Sequence, residues 1–151
     1  MWIMAAIEVG KEAPDFTLPD ENSQPVRLRD LRGSPVVLVF YRADFSPVCT
    51  NEMCGYRDDY SHFQAKGARV FGISRDSVWA HKAFKDILGL THSLLSDPKG
   101  EVARLYDTWN EDLALAGRLT VVVDKDGIIR YVTRSELLKP RDPRQALAAV
   151  G

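Results

Sequence analysis

Two cysteines, Cys49 and Cys54, are all that the 151 residues contain. So few cannot staple a small secreted domain, and a close pair without an export signal suits a reducing, cytoplasmic setting, where it is redox-active or metal-binding. Long apolar runs are missing too: none reaches the ~18 residues of a membrane span. The opening Met1-Trp2-Ile3-Met4-Ala5-Ala6-Ile7 is apolar but short and has no basic front end, so it reads as an N-terminal arm over residues 1–8 and not as a secretory signal. Charge of one sign is also scarce. Twenty Lys and Arg against 21 Asp and Glu leave a formal net charge of -1, which offers no basic field to nucleic acid. The three histidines, His62, His81 and His92, are scattered, and with the two cysteines they do not form the paired ligand pattern of zinc. No metal, cofactor, membrane or nucleic-acid partner is therefore expected. Each His reads as a surface or packing residue. Cys-x-x-Cys is absent, which argues against dithiol exchange on protein disulfides.

What is present is an ordinary globular balance, 45% hydrophobic and 27% charged, with no linker or repeat. One domain over residues 9–151 is expected. Residues 13–18 and 26–28 read as two short strands around the polar turn at 20–23, an N-terminal β-hairpin. Residues 35–41 form an apolar, β-branched run that suits a strand buried on both faces. A helical pattern covers 47–66, and a second central strand covers 69–74. A helix follows over 77–88, with Ser77 as cap and Gly89 past its end. Short strand and helix patterns lie at 94–95 and 101–106. Residues 119–123 and 128–132 flank Asp124-Lys125-Asp126-Gly127, a hairpin signal. A helix over 143–150 closes the chain. The fold class is α/β, a mixed central sheet flanked by helices. Trp79, Phe84 and Trp109 read as core or rim aromatics, and Arg27, Arg29, Arg32 and the 139–144 cluster as solvated charge.

The chemistry gathers at one junction. Ser46 is a natural helix cap and Pro47 suits the first helical position, which puts Cys49 in the first turn. Unpaired N–H groups and the positive helix end favour an anion there, and the thiolate is the nucleophilic form of cysteine. A lone helical cysteine is also commonly a small buried hydrophobe, so spacing alone leaves both readings open.

The segment Asp44-Phe45-Ser46-Pro47-Val48-Cys49-Thr50 resembles the peroxidatic loop of peroxiredoxins. Ala13-Pro14-Asp15-Phe16-Thr17-Leu18, Gly72-Ile73-Ser74, Leu95-Ser96-Asp97 and Val123-Asp124-Lys125-Asp126-Gly127 are similar to that family in order and spacing, so the likeness runs along nearly the whole chain after residue 8. The resemblance implies a thioredoxin-like fold, with Cys49 as the nucleophile and Ser46 at the family's Thr/Ser position three residues before it. It also implies a functional Arg before a late strand, matched by Arg118, whose charge would stabilise thiolate and hold peroxide oxygens. One departure stands out: the family's Pro seven residues before the Cys is Arg42 here. Arg42, Phe45 and Glu52 are the further candidates for the pocket, Glu52 as a partner for Arg118.

Cys54, five residues after Cys49, resembles the resolving cysteine of the Q subfamily, the bacterioferritin comigratory proteins. That likeness implies reduction of hydrogen peroxide and organic hydroperoxides through a Cys49 sulfenic acid, an intrachain disulfide, and re-reduction by thioredoxin or a similar thiol. Tyr106-Asp107-Thr108-Trp109-Asn110-Glu111 with Ala116-Gly117-Arg118 resembles the one-cysteine E subfamily instead, which implies an inert Cys54 and an external resolving thiol. A peroxide-sensing thiol switch is the alternative outside catalysis. A monomer or weak homodimer is expected.

Overall fold

The computed structural model describes residues 7–135 and 141–151; most of the expected N-terminal arm, residues 1–6, lies outside them. Within them, Ile7 packs against the core and the Gly10 N–H donates to the Ile129 carbonyl.

The apolar run in the middle of the chain becomes β3 (Val36–Phe40), with all five residues buried. It is the centre of a five-stranded mixed sheet ordered β5-β4-β3-β8-β9. β4 (Arg69–Ser74) and β5 (Ser93–Ser96) continue from it in parallel, while β8 (Leu119–Val123) and β9 (Ile129–Arg134) follow on the other side in antiparallel register. Side chains alternate across a strand, and β3 divides accordingly. Val36, Leu38 and Phe40 enter one core with Phe16 and Leu18 of the N-terminal hairpin and with Val102 and Tyr106. Val37 and Val39 enter a second core with Cys49, Met53, Tyr56, Phe63, Phe84 and Ala146. Burying a Val, Leu or Phe side chain contributes ~1.5–3 kcal/mol, so β3 anchors both layers.

The hairpin β1 (Thr17–Pro19) and β2 (Pro25–Arg27) forms as expected. The β8–β9 hairpin also forms, turning on Asp124, whose carboxylate accepts the N–H groups of Asp126 and Ile128, and on Gly127 at φ 85°. α3 (Val78–Leu88) starts at Ser77, whose hydroxyl accepts the Ala80 N–H, and ends at Gly89 in the left-handed conformation. α4 (Glu101–Leu105) and α5 (Pro143–Ala149) complete the helices.

One expectation is corrected. The helix expected over 47–66 is two helices, α1 (Pro47–Asp58) and α2 (Tyr60–Ala65), which meet at Asp59. Asp is a poor helix former, and the second piece buries Phe63 against the sheet. Residues 109–116 also carry a two-stranded hairpin, β6 (Trp109–Asn110) and β7 (Leu115–Ala116), beside the chain leading into β8.

Candidate active site

α1 lays Cys49, Met53 and Tyr56 on the sheet, the i, i+4, i+7 stripe of a half-buried helix. Its close approach depends on Gly72 in β4, where a Cβ would sit 2.8 Å from Leu94, 3.1 Å from Tyr41 and 3.3 Å from the Met53 sulfur. Pro47 occupies the first turn as expected, and Cys49 follows, only 1% exposed. Both cysteines are free thiols, Cys54 being half-buried. Ser46 has the extended backbone of a cap, but its hydroxyl caps nothing. The Thr50 N–H instead donates to the Ser46 carbonyl at 2.8 Å, and the buried Ser46 Oγ has no hydrogen-bond partner.

Glu52, one turn beyond Cys49 on a neighbouring position of the helix surface, is the hub of a buried charge cluster. Arg118, just before β8, approaches it through Nη2 at 2.7 Å and Nε at 3.3 Å. The Glu52–Arg118 pairing expected from the sequence is therefore present. Arg141 is a correction: the cluster around it reads as solvated, yet Arg141 is buried. Its backbone N–H donates to Glu52 at 2.8 Å and its Nε at 2.5 Å, while its remaining nitrogens reach Thr120 Oγ1 at 2.9 Å and the Phe40 carbonyl at 2.8 Å. No local pattern distinguishes Arg141 from its charged neighbours; its burial goes with the bonds it makes to the buried Glu52 carboxylate.

Arg42 and Arg118 line one cleft of about 240 Å³, with Leu113, Leu115, Ala116 and Ser135. Arg42 thus faces the same space as Arg118. Phe45 does not line it; at φ 68° it turns its ring onto Phe84 of α3, with centroids 4.9 Å apart. Trp79 is 81% exposed, neither core nor rim of this cleft. His81 and His92 are buried packing residues, and His62 is exposed. Among the described residues, Asp44, Asp76 and His81 bring three potential metal-ligand atoms within 4.8 Å of one another. The sequence pattern gives no sign of this cluster. Hydrogen bonds already engage three of its four carboxylate oxygens: Tyr41 donates to Asp44 Oδ1 at 2.6 Å, Asp44 Oδ2 lies 2.7 Å from His81 Nδ1, and Ser74 and the Asp44 N–H donate to Asp76 Oδ2 at 2.5 and 2.9 Å.

Two buried groups with lowered values weaken the fold in acid. Burial pushes the Glu52 carboxyl up, but the hydrogen bonds and charges of Arg141 and Arg118 outweigh it and hold Glu52 below its ordinary 4.5. Burial, then the charge of Lys85, presses His92 from 6.5 down to about 3. Both folded values lie below the unfolded ones, so both contributions are complete above the unfolded value and fade as pH falls. Stability should decline below about pH 6.5 through His92 and more steeply below about 4.5 through Glu52, by up to ~1.4 kcal/mol per pH unit for each proton. Urea unfolding against pH checks this. In Glu52→Gln the decline from 6.5 remains and the steepening below 4.5 is reduced to what Asp15, Glu111, Asp124 and Asp142 supply, each held below its ordinary value by hydrogen bonds and an arginine partner, while stability at neutral pH falls by about 3 kcal/mol, because two buried cations lose their carboxylate.

The AhpC/TSA family pattern matches residues 9–132. Peroxiredoxin Q, chloroplastic, of Suaeda salsa is 40% identical over 135 residues, 89% of this chain and 63% of that protein. The Arabidopsis thaliana protein of the same name is 42% identical, with 62% of its length covered. The chain thus spans less than two thirds of these two plant relatives. A bcp peroxiredoxin of Coxiella burnetii is 40% identical over 84% of this chain and 88% of its own. Among solved structures, peroxidoxin BcpB from Mycobacterium tuberculosis superposes with a TM-score of 0.86 at 36% identity, covering 93% of this chain and 94% of that one. Among the described residues no helix is long and apolar enough to cross a membrane. With the sheet order, the Cys49 helix start and these likenesses in agreement, the chain belongs to the AhpC/TSA family, among its peroxiredoxins.

Proposed function

We propose that the chain is a thiol-dependent peroxidase with Cys49 as its nucleophile, carried by one thioredoxin-like domain over residues 9–151. The Cys49 thiolate attacks the outer oxygen of a hydroperoxide. The O–O bond breaks, the leaving oxygen takes a proton and departs as water or an alcohol, and the sulfur is left as sulfenic acid. The Cys54 thiolate then attacks that sulfur, water leaves, and a disulfide forms. A dithiol donor of the thioredoxin kind returns two electrons and restores both thiols.

The observation that carries this reading is the position of Cys49: the first turn of α1, one turn from the carboxylate that grips Arg118. Ser46, with a buried hydroxyl that bonds to nothing, is available to a peroxide oxygen. Arg118 supplies positive charge to the thiolate and the departing oxygen. Arg42 lines the same cleft as Arg118, where its donors suit peroxide oxygens and the neighbouring leucines the organic part of a hydroperoxide. We take the protein to act in a reducing cytoplasm, as a monomer or weak homodimer.

Resolution by Cys54 demands motion. α1 is continuous from Pro47 to Asp58, and helix positions five apart have Cα atoms about 8–9 Å from each other. A disulfide needs less than ~7 Å, so the first turns of α1 must unwind. Gly55 is a natural end for that unwinding, since glycine weakens a helix by ~1 kcal/mol. One equivalent of hydrogen peroxide should give a Cys49–Cys54 disulfide within one chain, seen by peptide mass spectrometry. Cys54→Ser should leave Cys49 as sulfenic acid that over-oxidises to sulfinic acid more readily. The unbroken α1 also supports a second reading, a one-cysteine enzyme resolved by an external thiol. A wild-type protein halted at Cys49 sulfenic acid with Cys54 still a thiol would establish that second reading. Stoichiometric oxidation without turnover in the presence of a thiol donor would instead mark a sensor.

A further inference from the structure

The segment leading into α1 is held by groups that the chemistry above does not use. Asp44 precedes Cys49 by five residues and is gripped at three points. Its Oδ1 accepts the Tyr41 hydroxyl at 2.6 Å, its Oδ2 lies 2.7 Å from His81 Nδ1, and its backbone N–H donates to Asp76 at 2.9 Å. His81 itself is fully buried on α3, and its Nε2 lies 2.9 Å from the Leu95 carbonyl of β5. A carbonyl only accepts, so Nε2 carries a hydrogen, and the Nδ1–Oδ2 contact holds a second proton between ring and carboxyl.

We propose that His81 is a positioning residue for Cys49: with Asp44 and Tyr41 it latches the loop of residues 42–46 onto α3 and β5, and release of this latch opens the start of α1. The proposal rests on the peroxidase reading for its consequence but not for its structural content. Three independent features point to a latch and not to a core contact alone. Ser46 contributes no cap bond, so the entry to α1 leans on Asp44 two residues earlier. Phe45, between them, is a bulky residue at φ 68°, a conformation that persists only where its surroundings impose it. The surroundings are again α3: His81 holds Asp44 while Phe84, one turn on, holds the Phe45 ring. One helix face therefore grips two consecutive residues at the hinge of the segment that must unwind.

The latch has opposite effects on the two oxidative steps. Closed, it keeps Cys49 in the first turn of α1, where peroxide attack occurs. Open, it frees Cys49 to swing toward Cys54. Amide hydrogen exchange of the reduced protein tests the latch without any peroxide. In His81→Ala and Asp44→Ala, amides of residues 50–54 should exchange faster by about tenfold or more, while those of β8 keep the wild-type rate. Asp44→Asn, which can still accept from Tyr41 and donate to His81 Nδ1, should lie close to wild type. Tyr41→Phe removes the hydroxyl that donates to Asp44 and lies 3.4 Å from His81 Nδ1, leaves no cavity, and should shift exchange in the same direction by about threefold, which serves if the alanine variants do not fold. Rapid-mixing kinetics then follow both steps: sulfenic acid formation should slow and disulfide formation accelerate in the latch variants. Val121→Ala, on the opposite face of the sheet, should lower thermal stability while keeping the wild-type ratio of the two rates. Wild-type exchange at 50–54 in the latch variants overturns the proposal, as does the same change of ratio in Val121→Ala. Faster exchange in a protein whose wild type consumes no peroxide leaves the latch standing and removes the peroxidase reading.

Discussion

Cys49→Ser should remove peroxide turnover altogether. The reaction needs a group that is both anionic and polarisable at neutral pH, and a serine hydroxyl is neither. Cys54 cannot substitute for it: Cys54 lies in the middle of α1, where each backbone N–H already has a helical partner and the helix end offers no positive charge. The fold should survive. Cys49 is nearly inaccessible in the core between α1 and the sheet, so the serine buries a hydroxyl at a cost of about 1–3 kcal/mol if it finds no acceptor. That cost lowers the melting temperature without changing the near-ultraviolet circular dichroism. A peroxide-consumption assay with a dithiol donor reads the result, and persistent turnover in a folded Cys49→Ser protein would exclude Cys49 as the nucleophile.

Arg118→Met should slow oxidation of Cys49 by about 10²–10³-fold, the usual loss when one preorganised donor to developing negative charge is removed. Methionine keeps much of the length and apolar bulk of arginine, so packing before β8 is largely retained. Glu52 loses one cation but keeps Arg141, which contacts it through backbone and side chain. The variant therefore separates the electrostatic role from the structural one. Stopped-flow measurement of the second-order rate with hydrogen peroxide gives the answer. An unchanged rate would mean that Arg118 serves only to neutralise Glu52, and Arg42, in the same cleft, becomes the donor to test.

The sequence is most legible where one local pattern is sufficient. β3 and β4 follow from apolar runs, and α3 follows from a serine cap and a closing glycine, because burial and capping act on neighbouring residues. The start of α1 is legible for the same reason, though only in its backbone; whether Ser46 Oγ caps the helix depends on surroundings that the sequence does not display. Two-residue strands such as Trp109–Asn110 are too short to carry a period. Asp59 breaks a helical pattern without a Gly or Pro to announce it. The buried polar groups are the least legible. Arg141 looks like a surface residue, and His81 like a surface or packing residue without a partner, because Glu52 and Asp44 are remote in sequence, and a charge is recognisable as buried only with its counter-charge in view.

The sequence separations in the Glu52 cluster have a consequence for the order of assembly. Glu52 lies 66 residues from Arg118 and 89 from Arg141. Contacts so distant close the longest loops and form late. During synthesis, a nascent chain ending after β5 would hold β3, α1, β4, α3 and both thiols but neither counter-charge for Glu52. Its carboxylate would have to stay in water, and α1 could not seat against the sheet without burying an unpaired charge. Cys49 thus reaches its buried place between α1 and the sheet only once the closing segment arrives, and until then a growing chain leaves it open to solvent.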